Sequence, residues 1–202
     1  MPMSRMTVDG NCSIMRRVTT TKSALIVIDA QQEYFAPDGK VVLPDGPAAV
    51  KQVARALGWA RGSGVPVVHI VHESRRPDPT TFVPGSPALE IHPEARPAAA
   101  EPVMTKHLPG SFTGTDLERW LRERGVERLI VSGFMTQMCV DTTARQAAHL
   151  GFAVTVLADA TAAMAVKAPD GGVIDAGEVH RTHLGSLSGF LAHIARVDDL
   201  VA

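Results

Sequence analysis

Arg128-Leu129-Ile130-Val131-Ser132, then Gly133-Phe134-Met135-Thr136-Gln137-Met138-Cys139, a helical pattern over 140–150, Gly151 and Ala153-Val154-Thr155-Val156-Leu157 form the stretch that decides the fold. The two flanking runs are short, almost wholly apolar and rich in β-branched residues. Runs without polar alternation belong to strands covered on both faces. A strand, a helix and a second such strand imply a right-handed crossover between parallel neighbours.

The same unit repeats outward from there. Ala24-Leu25-Ile26-Val27-Ile28 ends at Asp29, Val65-Pro66-Val67-Val68-His69-Ile70-Val71 has the same character, and 102–105 is a weaker run. Helical patterns over 48–61, 116–124 and 140–150 close near Gly62, Gly125 and Gly151, as left-handed C-terminal caps require. The alternation predicts a three-layer α/β/α fold around a mainly parallel sheet of five or six strands, with ligands beyond the carboxyl ends of the strands. Residues 175–194 read as a final helix, with Val179, His183, Leu187, Leu191 and Ile194 on one face. The proline-rich segment 73–101 reads as an extended excursion that covers a site or meets a neighbouring subunit, and 168–177 as a second loop.

Composition bounds the function. With 202 residues, 45% of them hydrophobic, the chain can bury one substantial core: a single domain over 23–202 behind a short tail, 1–22. A net charge of −1 offers no field to hold a nucleic acid. No apolar run approaches the ~20 residues that cross a bilayer, and the tail lacks the apolar stretch of a secretory signal. Two cysteines, Cys12 and Cys139, do not make a disulfide framework, so a reduced, cytoplasmic setting is expected and Cys139 is free to react.

Cys139 follows a strand and opens a helix. Unpaired N–H groups and the positive end of the helix dipole favour a thiolate there, which predicts a lowered thiol pKa. A lone cysteine is more often a small buried hydrophobe, and a strand-end aspartate or a single lysine is usually a cap or solvated surface. The surrounding pattern decides otherwise. Gly133 through Arg145, GFMTQMCVDTTAR, closely resembles the nucleophile segment of the isochorismatase-like cysteine hydrolases. Ile28-Asp29-Ala30-Gln31 resembles that family's Asp-x-Gln motif, Met104-Thr105-Lys106 its lysine element and Ala158-Asp159-Ala160 its later Asp-Ala turn. The resemblance spans about residues 23–194, with its motifs in the right order.

The resemblance implies hydrolysis of a small amide or carbamoyl-type C–N bond through an acyl-thioester. Asp29 would move protons, Lys106 would stabilise the ionised pair and Cys139 would attack. It also implies an oxyanion site built from the Met135 and Cys139 amides, with a cis peptide at Phe134-Met135, and an aromatic substrate contact at Tyr34. Phe112, in the region that would set selectivity, is a further candidate contact. Small-molecule substrates and a homo-oligomer are expected.

Relatives of the nicotinamidase type carry an Asp-x-His pair between the aspartate and lysine elements. None occurs between Asp29 and Lys106, so no catalytic metal is predicted despite His69, His72, His92 and His107. Absence of a P-loop or a G-x-G-x-x-G turn argues against a nucleotide cofactor. His180, His183 and Asp159 read as structural. Two other functions compete: a vinyl-ether hydrolase with Asp29 as acid and no need of the thiol, and a non-catalytic redox sensor using Cys139.

Overall fold

The computed structural model of the chain describes residues 20–201, so Cys12 and all but the last three residues of the expected tail lie outside the described part. Six strands, β1 (Ser23–Ile28), β2 (Val67–His72), β3 (Val103–Lys106), β4 (Arg128–Gly133), β5 (Ala153–Leu157) and a late strand at His193–Ala195, form one sheet. Their order is β3-β2-β1-β4-β5 and then the late strand, every pairing parallel. The central strand β1 is buried at all six positions, which is why its sequence lacks polar alternation.

Helices α1 (Gly46–Gly62), α2 (Leu117–Glu123) and α3 (Asp141–His149) lie between strands, as expected. Two apolar layers result. Val50, Val53 and Leu57 of α1 pack on one face with Leu25 and Ile130, while Leu117, Leu121, Ala144 and Ala147 pack on the other with Ile26 and Val131. Each fully buried Val, Leu or Ile among them is worth about 1.5–3 kcal/mol against exposure. At the C-terminal ends the backbone turns as the glycines allow, with φ of +63° at Gly125 and +85° at Gly151. Gly62 is the exception: α1 runs through it and the left-handed turn falls at Gly64, φ +67°.

Two expectations are corrected. The loop read over 168–177 belongs to a two-stranded antiparallel ribbon, β6 (Val166–Lys167) with β7 (Val173–Ile174). The final helix is shorter than 175–194: α4 covers Ala176–Leu187, Gly189 takes φ +81°, and Ile194 lies in the sixth sheet strand, β8 (His193–Ala195), before the short α5 (Asp198–Val201). A left-handed glycine breaks the helical path, and the apolar residues beyond it pair with β5 instead. Among the described residues, no helix is long and apolar enough to cross a membrane.

Candidate active site

Asp29, Lys106 and Cys139 come from three elements and meet at the carboxyl end of the sheet. Asp29 directly follows β1, Lys106 ends β3, and Cys139 lies in a turn of π-helix, Thr136–Val140, between β4 and α3. The structure therefore moves the expected helix start: Cys139 sits in the wider turn and α3 begins two residues later. Asp29 has φ +48°, a left-handed conformation rarely held by a residue other than glycine and typical of functional turns. Beside it Gly133 has φ +110°, and a Cβ there would stand 1.9 Å from the Ile28 carbonyl oxygen, so only glycine lets β4 leave the sheet at this point.

Lys106 Nζ lies 2.8 Å from Asp29 Oδ2 and 3.2 Å from Cys139 Sγ. Asp29 and Lys106 have 0% exposed side chains and Cys139 is 5% exposed, so water screens none of them appreciably. The lysine meets the carboxylate at ion-pair distance without the angle of a directed hydrogen bond, and among the described residues Asp29 Oδ1 has no hydrogen-bond donor. Among the described residues the Met135 N–H donates to no protein acceptor, and the Phe134-Met135 peptide is cis.

Burial dominates the electrostatics. It pushes the Asp29 carboxyl above its ordinary range, with Lys106 pulling the other way. Burial alone would lower the Lys106 ammonium, but Asp29 and Cys139 outweigh it and hold the group above its usual value. The Cys139 thiol goes up, through burial first and then the neighbouring Asp29 charge. This reverses the expectation of a lowered thiol pKa: desolvation and an adjacent anion outweigh a nearby cation and the helix terminus. Burial therefore favours a neutral thiol at rest, beside a lysine that keeps its charge and a carboxyl raised above its ordinary range.

The Asp-x-Gln motif also acts through its glutamine. Gln31 is buried and pins the end of β2, donating from Nε2 to the carbonyls of His72 (3.0 Å) and Leu89 (2.9 Å) and accepting at Oε1 from the His72 N–H (2.8 Å). Buried Glu33 accepts from the Phe82 N–H (3.1 Å) and so draws the 73–101 excursion inward. Phe82 packs edge-on to Tyr34 (5.4 Å) and to His72 (4.9 Å), and Tyr34 also touches the Phe134 ring at 5.8 Å. Tyr34 thus belongs to the aromatic wall. Its hydroxyl is pushed well above its ordinary pKa by burial, then by the charges of Cys139, Asp29 and Glu33, which keeps it protonated.

Phe112 lies elsewhere. It stacks on Phe152 at 6.0 Å, and its N–H donates to Gln146 at the far end of α3, so the structure does not bring it to the cluster. A groove of about 550 Å³ along the outer edge of β3, lined by Val103, Trp120, Arg119 and Glu123 among others, holds none of the three charged or thiol groups either. The histidines are separately engaged: His69 with Glu101, His72 with Lys106, His92 with the Glu94 N–H and His107 with the Glu73 carbonyl. His180 meets Thr136 at 2.9 Å and His183 meets Asp141 at 3.3 Å, tying α4 to the turn carrying Cys139 and to α3. Sequence reasoning missed the contacts of His72 and Thr136 because neither shows a local pattern.

A parallel α/β domain with such a cluster where its strands end has the layout of the isochorismatase-like hydrolases. The isochorismatase domain profile matches residues 23–194. The uncharacterized isochorismatase family protein YddQ of Bacillus subtilis (strain 168) is 37% identical over 172 residues, 85% of this chain and 94% of that protein. An isochorismatase structure from Pseudomonas putida KT2440 superimposes with a TM-score of 0.82 at 35% identity, over 90% of this chain and 91% of that one. N-carbamoylsarcosine amidase from Thermoplasma acidophilum gives 0.71 at 26%, over 87% and 96%. The chain belongs to the isochorismatase family, and it is a hydrolase.

Proposed function

We propose that this chain hydrolyses a small amide or carbamoyl-type C–N bond through a thioester on Cys139. The observation carrying this reading is one buried ammonium 2.8 Å from a carboxylate and 3.2 Å from a thiol sulfur. A thiol attacking a carbonyl needs a proton acceptor and a counter-charge beside it. Asp29, made more basic by burial, accepts the thiol proton, while Lys106 stays positive throughout.

The thiolate adds to the substrate carbonyl carbon, and the resulting oxyanion accepts from the Met135 and Cys139 N–H groups. Asp29 returns its proton to the departing nitrogen as the C–N bond breaks, leaving the thioester. It then takes a proton from water, whose oxygen attacks the thioester carbonyl. The C–S bond breaks, and the sulfur recovers that proton. Tyr34 and Phe82 would offer an apolar wall to a compact planar substrate. The likeness to an N-carbamoylsarcosine amidase supports a C–N bond. A thiol seated against the ion pair favours this over vinyl-ether hydrolysis, which has no use for it.

The test is ammonia or amine release from a panel of small amides, ureas and carbamoyl compounds, with intact-mass detection of an acyl adduct after rapid acid quench. Wild type should turn over at least one member and show the adduct; Cys139→Ala should do neither. Full turnover by Cys139→Ala would remove the thioester route.

A further inference from the structure

His72 is the neighbour of the cluster that the reaction above leaves unused. An ammonium carries three N–H donors, and Lys106, at 0% exposure, can give none of them to bulk water. Cys139 Sγ accepts one, Asp29 Oδ2 balances the charge at an ion-pair distance of 2.8 Å, and the ring Nδ1 of His72, 3.3 Å from Nζ, is placed to accept another. The placement is built in: His72 ends β2 opposite Lys106 in the parallel register of β2 and β3. Its backbone is held on both sides by the Gln31 amide, and its ring lies edge-on to Phe82.

An N–H can be donated to Nδ1 only if the imidazole is neutral with its proton on Nε2. Burial, then the charges of Lys106 and His107, lower His72 to about 4, so it is neutral through the physiological range. The groups facing it are Lys106 from β3, His107 just beyond β3, Gln31 from the segment after β1, and Phe82 from the excursion. The carboxylate of Asp29 faces the same ammonium, 2.8 Å from its nitrogen.

We propose that His72 is a positioning residue, the third partner that holds the Lys106 ammonium between carboxylate and sulfur. This rests on the reading of Asp29, Lys106 and Cys139 as the reacting set. Without His72 the ammonium has a donor with no partner and turns towards water, drawing its charge away from the sulfur.

The test needs no substrate. Alkylation of Cys139 by iodoacetamide, resolved from Cys12 by peptide mass, is followed from about pH 5 to about pH 10 in wild type, His72→Leu, His72→Asn and His72→Gln. Asn places its Oδ1 close to where the ring holds Nδ1; Gln carries its oxygen one bond further out. In His72→Leu the alkylation rate should fall about tenfold across this range, as a rise of about one pH unit in the already raised thiol pKa requires. His72→Asn should stay within about threefold of wild type, with His72→Gln shifted like Leu. A His72→Leu protein of lower thermal stability but unchanged alkylation profile would make His72 merely structural and overturn the proposal. If His72→Leu does not fold, the Asn and Gln variants decide, and identical profiles for the two overturn it. Cys139→Ala, assayed in parallel on the amide panel, separates the two readings. Retained turnover there sinks the thioester route, while the alkylation profiles still decide whether His72 places the lysine.

Discussion

Replacing Lys106 by methionine keeps most of the length of the side chain and removes its charge. At 2.8 Å and an effective dielectric constant of about 20, the lost attraction to Asp29 is about 6 kcal/mol. The stranded carboxylate recovers part of this by taking up a proton, so the observable cost near pH 7 should be about 3–5 kcal/mol. That escape route fixes the pH dependence. Burial already raises the folded-state pKa of Asp29 above 3.8, and removing Lys106 removes the main influence that lowers it. Between the unfolded and folded pKa values the folded variant holds a proton that the unfolded chain has released, so stability falls as pH rises, by at most about 1.4 kcal/mol per unit. Lys106→Met should therefore lose ground to wild type progressively once the pH passes the raised folded-state pKa of Asp29 in wild type, until Asp29 is ionised in the folded variant as well. Urea denaturation at several pH values and constant ionic strength measures this, with Asp29→Asn/Lys106→Met as the control in which the slope vanishes. A stability difference that stays flat across the range, or a double variant with the same slope, would refute the account of a buried carboxylate held ionised by this lysine.

Gln31→Ala removes three buried hydrogen bonds to His72 and Leu89. It should cost about 2–4 kcal/mol in urea denaturation and speed proteolytic cleavage within 73–101. Gly133→Ala forces a Cβ to within 1.9 Å of the Ile28 carbonyl oxygen at φ +110°. It should lose more than about 4 kcal/mol, seen as failure to accumulate as soluble protein. Phe112→Ala empties a stack on Phe152, away from the cluster. It should lower stability by about 1–3 kcal/mol while leaving turnover within about twofold of wild type, measured by denaturation and amide hydrolysis.

What could be read in the sequence follows from how local each signal is. The strands β1, β2, β4 and β5 are largely buried, which writes continuous apolar runs into the chain, while the edge strand β3 is exposed at Val103 and Thr105 and gives only a weak run; Asp29 and Lys106 stand where β1 and β3 stop. The strand β8 was hidden because Leu191 and Ile194 continue the 3.6-residue spacing of α4; only the left-handed turn at Gly189 separates them. The ribbon of β6 and β7 is two residues per strand, too short to show a period. His72 gives no local sign of its role. Its contact follows only from placing β2 beside β3 and asking where the third proton of a buried ammonium goes. The direction of the thiol pKa was misjudged because a helix terminus can be seen in sequence, whereas full desolvation beside an anion cannot.

That correction bears on how the thiol could be activated. Taken alone, a thiol pushed upward by burial is a poor nucleophile at neutral pH. The step that matters on the proposed route is transfer of its proton to Asp29, which sits in the same dry pocket and is itself raised by burial. Desolvation penalises the anion on either side of that transfer, so much of it cancels, and the total charge of the three groups is unchanged. What remains is the movement of one negative charge around a fixed ammonium, from an oxygen 2.8 Å away to a sulfur 3.2 Å away. A substrate carbonyl presented to donor N–H groups then draws the thiolate forward by stabilising the next anion in the sequence. The pocket does not need to hold a resting thiolate. It needs to keep carboxylate, sulfur and lysine equally dry and the lysine in place.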